Sequence, residues 1–172
     1  MSTPILETER LILRPLTVND AGASFVWLGD DRVTKFMPFN TYNSVKDIEE
    51  KLKLINDDSL HYNWGFVLRE SNLLIGNGNI YFKDEANAWS FGYILRYDCW
   101  NKGYTTEATK VMIQFAYDYC GARKFVARHS SDNVSSGRVL EKCGLLFDHY
   151  GEYGSIDGSK TFNAKYYSMQ LS

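Results

Sequence analysis

A glycine set just ahead of a helical run, in Trp100-Asn101-Lys102-Gly103-Tyr104-Thr105-Thr106-Glu107-Ala108, is a place where backbone amides converge. The N-terminus of a helix leaves its first N–H groups unpaired and carries the positive end of a dipole, and a diphosphate needs both. Gly103 permits close approach of the backbone, and no proline between Asn101 and Thr106 removes a donor. Taken alone, a glycine before a helix is usually only a turn. Two other phosphate loops are excluded. The chain has no GxxxxGK[ST], and its only G-x-G, Gly76-Asn77-Gly78, lies inside a strand pattern with no helix behind it. Those glycines mark a bulge or close packing.

A second segment, Asn133-Val134-Ser135-Ser136-Gly137-Arg138-Val139-Leu140-Glu141-Lys142-Cys143-Gly144, follows about thirty residues on. Together with Phe91-Gly92-Tyr93-Ile94-Leu95 ahead of the loop, the two segments resemble the GNAT superfamily of N-acetyltransferases, and within it the RimJ/RimL-like ribosomal-protein N-terminal acetyltransferases. The resemblance runs from Glu9-Arg10-Leu11-Ile12-Leu13-Arg14-Pro15 to the last strand. It implies acetyl-CoA as cosubstrate and direct attack by a primary amine, without an acyl-enzyme, the amine belonging to a protein N-terminus or a small molecule. The backbone from Phe91 to Arg96 would run beside the pantetheine arm, with Ile94, Leu95 and Arg96 as the foremost contacts. Lys102, Gly103, Tyr104, Thr105 and Thr106 would hold the pyrophosphate. Asn133 would bond the pantetheine arm while capping its helix, and Arg138 is a candidate for the nucleotide's phosphates. Ser136 is a candidate proton donor to the departing thiolate, and a homodimer is a weaker implication.

The general base is harder to place. Related enzymes often have an acid at the start of the fourth strand, where this chain has Ser90. His129 titrates near neutrality in its unperturbed state and is the candidate base, although a histidine at a strand end is more often structural. Asp84 and Glu85, in the turn before that strand, and bulk water are the alternatives. A peptide α-amino group, with a pKa near 8, needs little help. The missing acid also leaves open a non-catalytic acyl-CoA-binding module. Cys99 and Cys143 read as core residues, and neither the cysteines nor the histidines have metal-ligand spacing.

The elements that must position these residues follow from periodicity. Arg10 to Leu16 alternates as a strand, and Asn19 and Asp20 are set to cap a helix through Leu28. Ser44-Val45-Lys46-Asp47 resembles a capping box opening a second helix that runs to Asn56-Asp57-Asp58. Trp64–Arg69, Leu74–Lys83 and Trp89–Tyr97 are strands joined by short polar turns, hence an antiparallel meander. A helix from Thr106 to Gly121, a strand over Lys124–His129, a helix over Asn133–Cys143 and a final hairpin (145–153 and 160–171) complete the chain. This order predicts an α/β (α+β) fold: a mixed, mostly antiparallel central sheet of about seven strands with helices on both faces, in a single domain over residues 1–172. The acceptor would be gripped by the first two helices, the loop Phe36-Met37-Pro38-Phe39 and the tyrosines of the hairpin.

A net charge of −2 over 172 residues gives no basic excess for a nucleic-acid partner. No window approaches the ~20 apolar residues of a membrane span, and no secretory leader pattern opens the chain. An odd count of three cysteines, with no CxxC pair, fits a reducing cytoplasm.

Overall fold

The structure, a computed structural model, describes residues 3–55 and 60–172. Eight strands and five helices follow in chain order as β1 (Leu6–Glu7), β2 (Leu11–Arg14), α1 (Ala21–Leu28), α2 (Asp31–Thr34), α3 (Val45–Lys53), β3 (His61–Leu68), β4 (Leu74–Lys83), β5 (Ala88–Leu95), α4 (Tyr104–Tyr119), β6 (Lys124–Ser130), α5 (Val134–Lys142), β7 (Leu146–Gly154) and β8 (Thr161–Gln170). They form one sheet in the order β1-β2-β3-β4-β5-β6-β8-β7. The additional strand is β1, two residues paired to Leu13 and Ile12. It is too short to show any period, and Thr8 makes it: its hydroxyl oxygen accepts the Leu11 amide at 2.9 Å and turns the chain.

Every strand pair is antiparallel except β5 with β6. Parallel neighbours need a long crossover, and α4 supplies it across one face of the sheet. That face holds the larger core, in which Phe66, Ile80, Phe91 and Phe125 meet Met112 and Phe115 of α4 and Leu140 of α5. On the other face Val67, Leu74 and Ile94 pack against Trp27 of α1 and Ile48 of α3. Alternation along each strand thus sends one set of side chains to α4 and α5 and the other to α1–α3.

Local details depart from expectation at the caps. Asp20 does not cap α1. Its carboxylate accepts a forked pair from Arg14 at 2.9 and 2.8 Å and the Thr17 amide at 2.7 Å, joining strand to helix instead. At α3, the Ser44 hydroxyl oxygen accepts the Asp47 amide at 3.2 Å. The Asp47 carboxylate in turn accepts the Ser44 hydroxyl, at 2.8 Å, rather than the Ser44 amide. The helix ends at Lys53, and the expected stop at 56–58 lies outside the described residues. Helix α4 starts at Tyr104, two residues before the expected Thr106, because Gly103 at φ 81° is its N-cap.

The two glycines of the G-x-G do both things expected of them. The register between β3 and β4 shifts at Phe66/Val67, directly opposite Gly76. A Cβ on Gly78 would lie 2.5 Å from the Phe66 ring and 2.9 Å from the Gly92 carbonyl. Gly78→Ala should therefore destabilise the protein by ~1–3 kcal/mol through overpacking; an unchanged urea midpoint would show that the sheet yields there.

Candidate functional site

β5 and β6 are registered over only two residue pairs, Trp89↔Phe125 and Ser90↔Val126. β5 stays paired to β4 along its whole length, from Ala88 to Leu95, and β6 stays paired to β8 from Lys124 to Ser130. The sheet therefore opens into a wedge beyond Ser90. In β5 the Gly92 and Ile94 carbonyls face Gly78 and Gly76 of β4. Alternation turns the amides and carbonyls of Phe91, Tyr93 and Leu95 toward the wedge. The Leu95 carbonyl accepts the Trp100 indole N–H at 2.8 Å, and the Arg96 amide donates to Ile75 at 2.9 Å. Phe91 and Tyr93 are left with an edge that an extended, amide-bearing ligand can pair with.

A cleft of about 790 Å³ opens from the wedge onto the face of α1–α3. Phe91, Ile94, His129, Asn133 and Ser136 line it; Leu95, Arg96, the loop Lys102–Thr106 and Arg138 do not. Leu95 is buried in the core. Arg96 is paired with Asp98, at 2.6 and 2.8 Å. Arg138 is exposed on α5.

The loop before α4 is shaped by two left-handed residues, Asn101 at φ 61° and Gly103 at φ 81°. The first bond into the helix runs from the Glu107 amide to the Gly103 carbonyl at 3.1 Å, so the amides of Tyr104, Thr105 and Thr106 precede the ladder unspent. Glu107, in the first turn of α4, joins the loop to the start of the chain. Its carboxylate accepts the Thr8 hydroxyl at 2.5 Å, the Arg10 amide at 2.8 Å and the Arg10 Nε at 2.7 Å. Arg10 Nη1 donates on to the Lys102 carbonyl at 2.9 Å, and its guanidinium lies 4.5 Å from the centre of the Tyr104 ring. The turn between β1 and β2 thus latches the loop at both ends. Burial works against ionisation of Glu107, but the bonds from Thr8 and Arg10 outweigh it and hold the carboxyl below its ordinary range.

At the start of α5, the Asn133 side-chain oxygen accepts the Ser136 amide at 3.3 Å, the expected cap. The Ser136 hydroxyl lies 2.9 Å from the Tyr93 hydroxyl, which also reaches the Ser136 carbonyl at 3.2 Å. Burial raises the Tyr93 pKa well above its usual value, so this phenol keeps its proton at neutral pH. Nothing in the sequence marks Tyr93 as a partner of Ser136; only the approach of α5 to β5 reveals the pair. His129 is 6% exposed, and its Nδ1 is 2.6 Å from the Ser130 carbonyl. Its Nε2 is buried without a partner, 2.8 Å from where a Cβ on Gly137 would sit. Burial lowers its pKa, which keeps the ring neutral.

Ser90 is 7% exposed and lines the cleft, and no carboxylate does so among the described residues. Asp84 and Glu85 lie outside the lining, and Glu85 is paired with Lys83 at 3.1 Å. Cys143 and Cys99 are also unsuited to attack: burial pushes the Cys143 thiol up to about 11 and raises that of Cys99.

Residues 10–146 match the model of the acetyltransferase (GNAT) domain. The chain belongs to the GNAT acetyltransferase family. It is 28% identical over 160 residues to the uncharacterized N-acetyltransferase p20 of Bacillus licheniformis, covering 88% of this chain and 90% of the relative. A GNAT-family acetyltransferase from Bacillus anthracis shares the fold at a TM-score of 0.86, with 21% identity over 97% of this chain and 98% of that one. A putative ribosomal-protein-serine acetyltransferase from Vibrio cholerae does so at 0.81, with 19% identity and 99% coverage of both chains. As a GNAT enzyme the protein is an acetyl-CoA-dependent N-acetyltransferase. No group of metal-ligating side chains is present among the described residues.

For this acetyltransferase the latch yields a test. Half-exposed ion pairs contribute roughly 1 kcal/mol at most, so Arg10→Ala should weaken acetyl-CoA binding about fivefold. Because the Glu107 pKa is lowered in the folded protein, the latch is complete above the ordinary carboxylate value of 4.5 and is lost as pH falls through the lower folded value. Calorimetric titration with acetyl-CoA should be insensitive to the Glu107 charge near pH 7 and weaken only in acid. Equal binding by wild type and Arg10→Ala would remove the latch from cofactor recognition.

Proposed function

We propose that acetyl-CoA lies across the wedge, with its pantetheine amides on the Phe91 and Tyr93 edge of β5 and its pyrophosphate on the amides of Gly103, Tyr104, Thr105 and Thr106. The observation that carries this reading is the splay of β5 from β6 beyond Ser90. Lys102 adds a cation beside the pyrophosphate, Asn133 faces the pantetheine arm from α5, and Arg138 lies on the same helix, toward the nucleotide. Ile94 lines the acceptor side of the cleft, while Leu95 and Arg96 hold the end of β5 through Trp100 and Ile75.

The acceptor is a primary amine, on a protein N-terminus or a small molecule, entering from the face of α1–α3. Its nitrogen attacks the thioester carbonyl carbon, the C–S bond breaks, and the thiolate takes a proton. Ser136 gives that proton and takes one back from water, while the Tyr93 hydroxyl behind it donates a hydrogen bond to the serine oxygen as it loses hydrogen. The amine's own proton leaves to water. His129 serves to position α5 against β6, since its Nε2 is sealed beneath Gly137. The three free thiols suit a reducing compartment such as the cytoplasm.

Thiol release from acetyl-CoA, followed over a panel of amines that includes ribosomal-protein N-terminal peptides, tests the reading. At least one primary amine should give acetylated product; binding of CoA with no thiol release for any amine would overturn it. Ser136→Ala should lower kcat by roughly 10²-fold, the scale of lost acid catalysis, with little change in acetyl-CoA affinity. An unchanged kcat would take the serine out of the mechanism. His129→Ala should keep the alkaline-rising limb of the pH–rate profile, whereas loss of that limb would make His129 the base.

A further inference from the structure

The acceptor side of the cleft has a charge pattern that its size and shape do not require. Its described lining contains Lys51, Lys83 and Arg128 and no aspartate or glutamate. These cations are not equivalent. Lys83 is neutralised by Glu85 at 3.1 Å, and Lys51 lies over the rim residue Phe39, 5.9 Å from the ring centre. Arg128 is in no ion pair among the described residues, and its guanidinium lies 4.8 Å from the centre of the Tyr153 ring.

The position of Arg128 follows from the strand register. Ser90 is paired with Val126, and two residues farther along the parallel pair Gly92 comes level with Arg128, on the same face. This is where the wedge has opened and where the acceptor amine would meet the thioester. The aromatic surface under the guanidinium is itself fixed. The Tyr153 hydroxyl donates to the Phe36 carbonyl at 2.7 Å, and its ring stacks on Phe162 with centroids 4.9 Å apart. Donors extend across the floor. The Asn77 side-chain oxygen is taken by the Trp27 indole N–H at 2.9 Å, which leaves the Asn77 amide nitrogen as the group that can face the cleft.

A guanidinium held by an aromatic face and free of a carboxylate presents a planar fork suited to an anion with two oxygens. A polycation entering the same space would meet arginine and lysine with no counter-charge from the described wall. We propose that the acceptor is an amine bearing a carboxylate within a few bonds of its nitrogen, and that Arg128 receives that carboxylate. A free amino acid and a peptide with an acidic first residue share this chemistry. The proposal rests on the cleft being the acceptor site, as argued above.

The test compares turnover on free aspartate and glutamate with turnover on their diamides, which carry no carboxylate, on C-terminally amidated peptides beginning with aspartate or glutamate with the same peptides beginning with asparagine or glutamine, and on the polyamines spermidine and putrescine. Carboxylate-bearing acceptors should exceed their neutral analogues roughly 10- to 100-fold in kcat/KM, the worth of a charge-assisted hydrogen bond. Arg128→Ala should erase that preference through KM while leaving acetyl-CoA affinity unchanged, and Arg128→Lys should restore part of it. The ratio of free amino acid to peptide turnover separates the two sources. Preference for polyamines or neutral amines, or a carboxylate preference that survives Arg128→Ala, would overturn the proposal and leave the acetyltransferase reading intact. Thiol release with none of these amines or any other would defeat both.

Discussion

One pair of strands that cannot stay together organises this protein. β5 and β6 are the only parallel neighbours in the sheet, and they share two registered residue pairs before diverging. Each is committed elsewhere: β5 to β4 through eight pairs, and β6 to β8 through seven. Leaving backbone groups unpaired in the middle of a sheet is costly unless something else satisfies them. The wedge is therefore a defect in the fold, and under the proposed reading a ligand with amides of its own would resolve that defect by binding there.

Around that opening, the chain divides the work between two faces. The crossover helix α4 and the capped helix α5 lie on one face, and the three N-terminal helices lie on the other. The loop entering α4 needs two left-handed residues, and unspent amides there favour an anion only while the loop keeps its shape. Arg10 and Glu107, ninety-seven positions apart, provide that restraint. An edge strand of two residues has little reason to exist for its own pairing energy. Its turn instead delivers Thr8 and Arg10 to the loop, so the first elements of the chain act on the donor side of the site.

Much of this was legible from residue order. The strand alternation of Leu11 and Leu13, both fully buried, was plain, as were the meander and the Asn133 cap. The two glycine-marked segments carry the family resemblance within the sequence itself, because each glycine and cap answers a local backbone demand. Other features were not legible, and for a common reason. The Tyr93–Ser136 hydroxyl pair spans 43 positions, and the Arg10–Glu107 latch spans 97. Neither leaves a periodic trace. Asp20 misled because an aspartate before a helix looks like a cap whether or not an arginine six residues earlier has claimed its carboxylate. The burial of His129 Nε2 was equally hidden, since it depends on Gly137 lacking a side chain.

The two faces also explain why the donor is easier to identify than the acceptor. In the proposed site, recognition of a diphosphate and a pantetheine arm would use backbone amides, and the glycine and proline pattern that frees those amides can be read in sequence. Recognition of the acceptor in that proposed site would use side chains gathered from β4, β6, β7 and the loop after α2, and their meaning lies in which charges have lost their partners. Arg128 illustrates the difference. In sequence it is an ordinary arginine in a strand; in the fold it is a cation beside the wedge, held against a tyrosine ring and facing a described wall without a carboxylate. Arg128 is exposed, so water satisfies its charge in the free protein, and a substrate that covers it must offset the cost of desolvation. The substrate that supplies the missing charge both recovers that cost and aligns its amine with the thioester, so binding and reactivity would be selected by the same contact.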